Sequence, residues 1–338
     1  MISNATLRNV LKVSLSLFIG GVFFWIAIRD LDSNEMKRYW LEIQMDWIWL
    51  FILVTFISFY LRMERWKLLI EHDKIRVKRR TLLAGVLNGY AINYFVPRLG
   101  EITRCYYVAK KEDKSIPVII GTVVLERVVD MLALLLLFLL VIFFVVTDDT
   151  IVQFLFGYNS VNNSLFYVNL FMTLVVFVLA IGMTVIAIRW LSKYHKGTKK
   201  IVDFLLLQSN QFLLGLKSII HIEQPIKFIL LSVLIWLTYI LMSYIPFAML
   251  IHPSLMKLGL TEALVITVIA SIGVTIPSPG GIGTYHLLVQ KSLFLLYLVP
   301  ESIGMTYAIV SHATVFILVM ILTPLSMAFN VLVKDSIR

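Results

Sequence analysis

The sequence predicts an all-α, polytopic integral membrane protein, with about six full spans plus two re-entrant helical hairpins in an inverted repeat. Three observations predict it. Hydrophobic residues make up 59% of the 338-residue chain and charged ones only 15%, and the mean hydropathy is +0.89. Soluble domains carry roughly 25% charged residues. The apolar residues are gathered into runs, and a run of about 20 crosses the hydrocarbon layer. Two further apolar regions, one in each half, are interrupted by proline and glycine.

Six runs read as full spans: Val10–Ile28, Trp47–Leu61, Ile116–Val146, Leu165–Ile188, Ile226–Leu250 and Met305–Val333. The first competes with a cleaved signal peptide. It is long enough to span and no small-x-small cleavage site precedes Arg29-Asp30, so it reads as a retained span. The second is short and continues through Arg62-Met63-Glu64-Arg65-Trp66 to Ile70. The interrupted regions are Thr81–Val96 and Thr261–Val299. The longest stretch with soluble character, Arg189 to Gln224, is too short and too basic for its own core. The chain therefore reads as one transmembrane domain, 1–338, with inverted halves at 1–150 and 160–338.

Lysine and arginine place the loops, since cytoplasmic loops carry the excess of both. Arg62 to Arg80 is densely basic. Lys110, Lys111 and Lys114 form a second basic group, and Arg189 to Lys200 a third. All three read as cytoplasmic, with both termini. Thr147–Ser164 carries Asp148 and Asp149 and no lysine or arginine, so it reads as external. Thr81–Val96 then begins and ends beside cytoplasmic loops and must dip in and return. Thr261–Val299 does the same from outside. Trp47 precedes Pro97 by about the same interval as Ile226 precedes Pro277. Inverted repeats of this kind put a substrate site near the midplane, between discontinuous helices. The plainer alternative is two ordinary spans kinked by proline.

Three clusters put ionisable or backbone-breaking residues at membrane depth, where an isolated charge costs at least about 2.5–3.5 kcal/mol. The first follows the break Asn93-Tyr94-Phe95-Val96-Pro97 and holds Arg98, Glu101 and Arg104. A helix there puts Glu101 three residues from both arginines, with Asn88 and Asn93 as amide donors. Arginine's planar fork suits phosphate. The second is Glu126, Arg127 and Asp130, with the two carboxylates one helical turn apart and expected to pair with Arg98, Arg104 or Arg127. The third is Pro277-Ser278-Pro279-Gly280-Gly281-Ile282-Gly283, followed by His286. Gly280, Gly281 and Gly283 allow close approach of backbone to a headgroup, and a helix starting near Thr284 aims free N–H groups at the break. Each has a structural alternative: a solvated loop, an ion pair locking a hairpin, and a packing kink. Arg62, Glu64, Arg65 and Trp66 read as an interfacial anchor. Lys291 snorkels or pairs.

Enzyme signatures are thin. The six histidines show no zinc spacing, and there is neither a nucleophile elbow nor a Walker loop. Cys105 is the single cysteine, which excludes an internal disulfide. No cofactor is implied. The net charge of +10 points to cytoplasmic loops and anionic headgroups rather than nucleic acid. Asp30 and Asp32 follow the first span as a D-x-D pair and keep open a headgroup or glycosyl transferase acting on a lipid-linked substrate.

Taken together, Asn93 to Glu101 with Arg104, Glu126-Arg127-Val128-Val129-Asp130, and Pro277 to Gly283 resemble the transmembrane, flippase-like domain of lysylphosphatidylglycerol synthases, here as a stand-alone member. Arg65-Trp66 also fits. The resemblance implies a bacterial or archaeal multi-pass protein of the cell membrane that moves lipid between leaflets. Its partners would be membrane lipids with anionic headgroups or lipid-linked phosphate. It also implies that the fused soluble domain, which makes aminoacylated lipid in the synthases, is absent here. The chain then acts either as the translocator or as a non-transporting partner of a lipid-modifying enzyme. His286 stands where the family often has an acidic residue, which points away from a cationic headgroup.

Overall fold

The computed structural model describes residue 18 and residues 20–29, 31, 33–71, 76–142 and 222–335. The expected span Leu165–Ile188, the segment Thr147–Ser164, the basic stretch Arg189 to Lys200, and Asp30 and Asp32 lie outside the described residues. The chain divides into two units, one of residues 1–138 and 211–338 and the other of residues 139–210. The fold below is that of the first unit.

All regular structure among the described residues is helical apart from one isolated bridge between Ile43 and Leu250. The helices are α1 (20–28), α2 (Ser33–Leu41), α3 (Met45–Ile70), α4 (Arg79–Asn93), α5 (Leu99–Lys111), α6 (Ile116–Leu140), α7 (Pro225–Met249), α8 (Pro253–Met256), α9 (Leu260–Thr275), α10 (Thr284–Tyr297) and α11 (Glu301–Asp335). Three of them, α3, α7 and α11, are long and apolar enough to cross a membrane. At 1.5 Å per residue the 26 residues of α3 reach about 39 Å. Its continuation to Ile70 agrees with the sequence reading. Hydrophobic side chains cover much of the outer surface, with Trp49, Leu53, Ile226, Ile229 and Leu325 all more than half exposed. Such a surface suits lipid.

α3 and α7 lie antiparallel along their whole length. The Gln44 N–H donates to the Met249 carbonyl at one end, and Phe51 and Val54 pack with Ile245. Arg62 meets Tyr239 further along, and Leu69 meets Phe228 at the other end.

The first break makes a helical hairpin. The residue before a proline avoids the helical region, so α4 stops short of Pro97. Arg98 turns the chain in a left-handed conformation, φ 65°, and α5 returns. The start of a helix leaves backbone N–H groups unpaired. Asn93 meets one of them, its Oδ1 accepting from the Gly100 N–H at 2.7 Å. The limbs then close on glycine: Gly89 lies against Arg104 and the Gly100 carbonyl, and Gly85 against Val108. The returning limb is thus a separate helix, beyond the Thr81–Val96 region. Its Glu101, Arg104, Lys110 and Lys111 lower its hydropathy and hid it from a count of apolar runs.

The second break is built similarly. Ile276 is extended before Pro277, a single 3-10 turn covers Pro279–Gly281, and Gly280, Gly281 and Gly283 all have positive φ. Thr284 donates to the Gly273 carbonyl at 2.8 Å and shares a hydrogen bond with Ser278 at 2.9 Å, tying α10 back to α9.

Both hairpins lean on α11. Gly304 lies on Gln290 of α10, and Tyr307 donates to the Ser243 carbonyl of α7. Midway, His312 donates to the Gly280 carbonyl at 2.9 Å and Phe316 packs on Tyr94. Further on, Thr323 donates to the Leu87 carbonyl and Asn330 to that of Arg80. The two hairpins therefore lie end to end along one helix, closed tips together and open ends apart. Tyr94 of the first tip covers Gly280 of the second.

A methyl at Gly100 would collide with the Gly89 carbonyl and the Asn93 amide, whereas one at Gly21 meets nothing within 4 Å. Gly100→Ala should destabilise the protein by about 1–3 kcal/mol through overpacking. Gly21→Ala should be neutral or stabilise by up to ~1 kcal/mol. Thermal unfolding of both variants in the same detergent checks the contrast.

Candidate functional site

The charged end of α3 does not face solvent. Arg62 is 4% exposed and Arg65 and Trp66 are fully buried. The two arginines lie three residues apart, on one face of α3. The carboxylates of Glu126 and Asp130 lie four apart on α6. These two spacings match, and the faces meet.

Glu126 is fully buried and holds the centre. Its Oε1 accepts from Arg62 Nη2 at 2.6 Å and lies 3.6 Å from Arg65 Nη2, while Oε2 accepts from Arg104 Nη2 at 3.0 Å. Asp130 takes Arg65 Nη2 at 2.6 Å and Arg62 Nη2 at 3.0 Å. Arg62 Nη1 also donates to the Tyr239 hydroxyl, and Arg65 Nη1 to Ser232 at 3.4 Å, both on α7. Rings complete the packing, with Arg104 stacked 4.8 Å from the Trp66 ring and Arg62 5.8 Å from that of Tyr90. Trp66 Nε1 donates to Thr122 at 3.0 Å, which fixes that ring between α3 and α6.

At the edge, Arg127 lies 3.5 Å from Glu101 and 4.0 Å from Asp130. Glu101 accepts from Asn93 at 3.3 Å, so the clasp of the first hairpin is chained to the ion cluster. Tyr90, one turn before Tyr94, joins the cluster to the tip.

The charges do not cancel. Arg62, Arg65 and Arg104 face Glu126 and Asp130, and Arg127 balances Glu101. Among the described residues one positive charge is left over in the cluster. The Nε–H groups of Arg62, Arg65, Arg104 and Arg127 are also buried without a hydrogen-bond partner among the described residues. An unmade hydrogen bond on a buried group costs about 1–3 kcal/mol, and more where it is charged. Excess positive charge with unused donors suits an oxyanion such as phosphate or carboxylate. Among the described residues no group of three or more metal-ligating side chains comes together.

The structure corrects several expectations. Glu126 pairs with Arg104 and Asp130 lies 4.0 Å from Arg127, two of the three expected partners, but both carboxylates also take Arg62 and Arg65, which had read as an interfacial anchor. Glu64, from the same run, pairs instead with Arg79. The pattern that could have found them is the Arg-x-x-Arg spacing on α3 set against Glu-x-x-x-Asp on α6. Tyr239 and Ser232 carried no signal, being ordinary polar residues in an apolar run. Arg98 does not join the cluster: its side chain is exposed and makes no ion pair among the described residues. The left-handed turn carries it away from Arg104, and Glu101 turns to Arg127.

The glycines of the second break meet protein. Gly280 is covered by Tyr94, Gly281 by Val274, and Gly283 by Gly20 of α1. His286 is buried, accepts from the Gly283 N–H at 3.4 Å, and sits edge-on to Phe24 and His312. Pro277 is exposed at the break. Lys291 pairs with Glu301 at 2.7 Å, as one of its two readings expected.

The model of one protein family, Lysylphosphatidylglycerol synthase TM region, matches residues 11–323. The chain belongs to that family. Members of the Lysylphosphatidylglycerol synthase TM family are membrane domains associated with lipid modification or flipping, and the multi-pass architecture agrees. No curated protein and no solved structure matches the chain. The matched range takes in both hairpins and the whole arginine cluster.

Removing one partner of a buried ion pair costs about 3–5 kcal/mol, because the remaining charge stays buried and uncompensated. Glu126→Gln should fall in that range. Asp130→Asn should cost less, since the Asp130 side chain is 15% exposed and its arginines keep Glu126. Unfolding curves of the two variants in one detergent give the order.

Proposed function

We propose that this protein moves an anionic lipid between leaflets, the passenger being a phospholipid or a polyprenyl-phosphate-linked lipid. The observation that carries the reading is the buried arginine cluster, with its surplus positive charge and unpartnered Nε–H groups, beside the meeting point of two broken hairpins. Arg62, Arg65 and Arg104 take the headgroup phosphate. Glu126 and Asp130 hold the arginines in place when no lipid is bound and give them up in part when it arrives. Glu101, Arg127 and Asn93 tie this event to the first hairpin, and Tyr90–Tyr94 to the second. Arg98, exposed at the first tip, is the outermost cation on the path. Pro277, Gly280, Gly281, Gly283 and His286 form the partner tip that must separate from Tyr94 to open it. The acyl or prenyl chains stay in the bilayer.

The hairpins are re-entrant and the halves form an inverted repeat: α3, α4–α5 and α6 correspond to α7, α9–α10 and α11. Three features support this. α3 and α7 are antiparallel, each hairpin has its own apolar core, and the open ends point opposite ways along α11. Both termini and the basic ends of α4 and α5 are cytoplasmic by their lysine and arginine content.

Purified protein in liposomes should exchange a fluorescent anionic phospholipid between leaflets. Arg65→Lys and Arg104→Lys keep the charge but lose the planar fork. Losing one charged hydrogen bond, about 1.5–3 kcal/mol, should slow exchange by at least about tenfold. Exchange at the wild-type rate in both variants refutes the assignment. Asp30→Ala with Asp32→Ala should leave exchange intact, whereas a transferase built on that pair would lose its activity. Topology has its own test, made simple by the single Cys105. In a Cys105→Ser background, Lys78→Cys and Lys114→Cys should be labelled by an impermeant reagent from one side of sealed vesicles, and Lys257→Cys only from the other. Labelling of all three from one side excludes the inverted arrangement.

A further inference from the structure

Helix α5 has a second face that the arginine cluster does not use. Arg104 and Cys105 point inward, while Ile102 and Tyr106 on the opposite side are 58% and 54% exposed. Together with Tyr107 and with Asn88 of α4 they line a groove of about 590 Å³, bounded at one end by Lys110 and Lys111. Its charge is one-ended. One end is Ile102 and tyrosine ring with Thr103 and Asn88 beside them, and the other is ammonium, with Lys110 Nζ 5.8 Å from the Tyr106 ring.

The charge at that end is concentrated. The start of α4 lies beside the end of α5, the Lys78 N–H donating to Glu112. This brings the Lys78 end of α4 beside the turn that carries Lys110, Lys111 and Lys114. Among the described residues the acids there are Glu112, turned toward Lys78, Asp113, exposed in the following turn, and Glu71, which is paired with Lys67. Cations prevail. Nine residue steps from Ile102 to Lys111 reach about 13 Å, close to the hydrocarbon depth of one leaflet, about 15 Å. Basic pockets between helices at a membrane surface bind anionic headgroups, and tyrosine favours the same boundary.

We propose that this groove is a binding site for one anionic glycerophospholipid of the leaflet at the open end of the first hairpin. Its phosphate lies against Lys110 and Lys111, and one acyl chain runs along Tyr106 and Ile102. The lipid is a held ligand that braces α5 from outside while the arginine cluster grips it from inside. A lipid resting here crosses nothing, so the site stands or falls apart from the transport reading.

The test uses the full-length protein in phosphatidylcholine nanodiscs titrated with phosphatidylglycerol, with bound lipid counted by native mass spectrometry after release. Wild type should retain phosphatidylglycerol over phosphatidylcholine. Lys110→Gln with Lys111→Gln should weaken retention by about tenfold or more. Both lysines are exposed and neither is in an ion pair among the described residues, so melting in phosphatidylcholine alone should be unchanged. Ile102→Trp, which fills the Ile102 end, should also displace the lipid with both lysines intact. Lys37→Gln with Lys257→Gln, away from the groove, should leave retention as in wild type. Equal retention of the two lipids overturns the site. So does unchanged retention in the double lysine variant, or an equal loss in the Lys37 and Lys257 control.

Discussion

A carboxylate shut away from water must find its solvation in the protein, and Glu126 finds it in arginines from two other helices. Arg62 and Arg65 come from α3 and Arg104 from α5, so one buried side chain fixes how α3, α5 and α6 stand against each other. Desolvating so many charges is expensive, and a well-packed apolar core is often at least as stable. Charge kept at that expense in a membrane family points to use. The surplus guanidinium and its idle Nε donors suit an oxyanion, and the proposed lipid reading rests on that fit.

The second constraint is backbone. Within hydrocarbon, broken helix is tolerated only where protein or a water-filled cavity surrounds it. Here the two tips meet at Tyr94 and Gly280, while Phe95, Arg98 and Pro277 stay exposed. Tyr94 caps Gly280, His312 satisfies the Gly280 carbonyl, and Asn93 satisfies the Gly100 amide. These contacts are local, few and made by side chains. They can part without unwinding a long helix, as the proposed lipid passage would require.

Much of this was readable from residue order, and the reasons differ by element. The long apolar helices follow from composition. The breaks follow from Pro97 and Pro277 with their flanking glycines, because proline and positive φ are local demands. The helix α5 was legible only as a cluster of charges, since its buried face is amphipathic and hydropathy averages it away. The roles of Arg62 and Arg65 were missed because a basic residue at a helix end is usually an anchor. Which way it turns depends on a carboxylate more than sixty residues later. Tyr239 and Ser232 lay further still from any signal, as their partners arise only when α3 and α7 come together. Arg98 shows the opposite error. Its neighbours in sequence suggested a shared site, and one residue in the left-handed region aimed it elsewhere.

Helix α11 touches both hairpins, and this has a mechanical result. Its 35 residues run as one helix of about 52 Å with Pro324 in its interior, in contact with α10 near one end and with α4 near the other. A helix shared in this way links the two hairpins through one backbone, and an interior proline is where such a helix bends. On the proposed reading, displacing either tip would load the other through α11, with the give concentrated at Pro324.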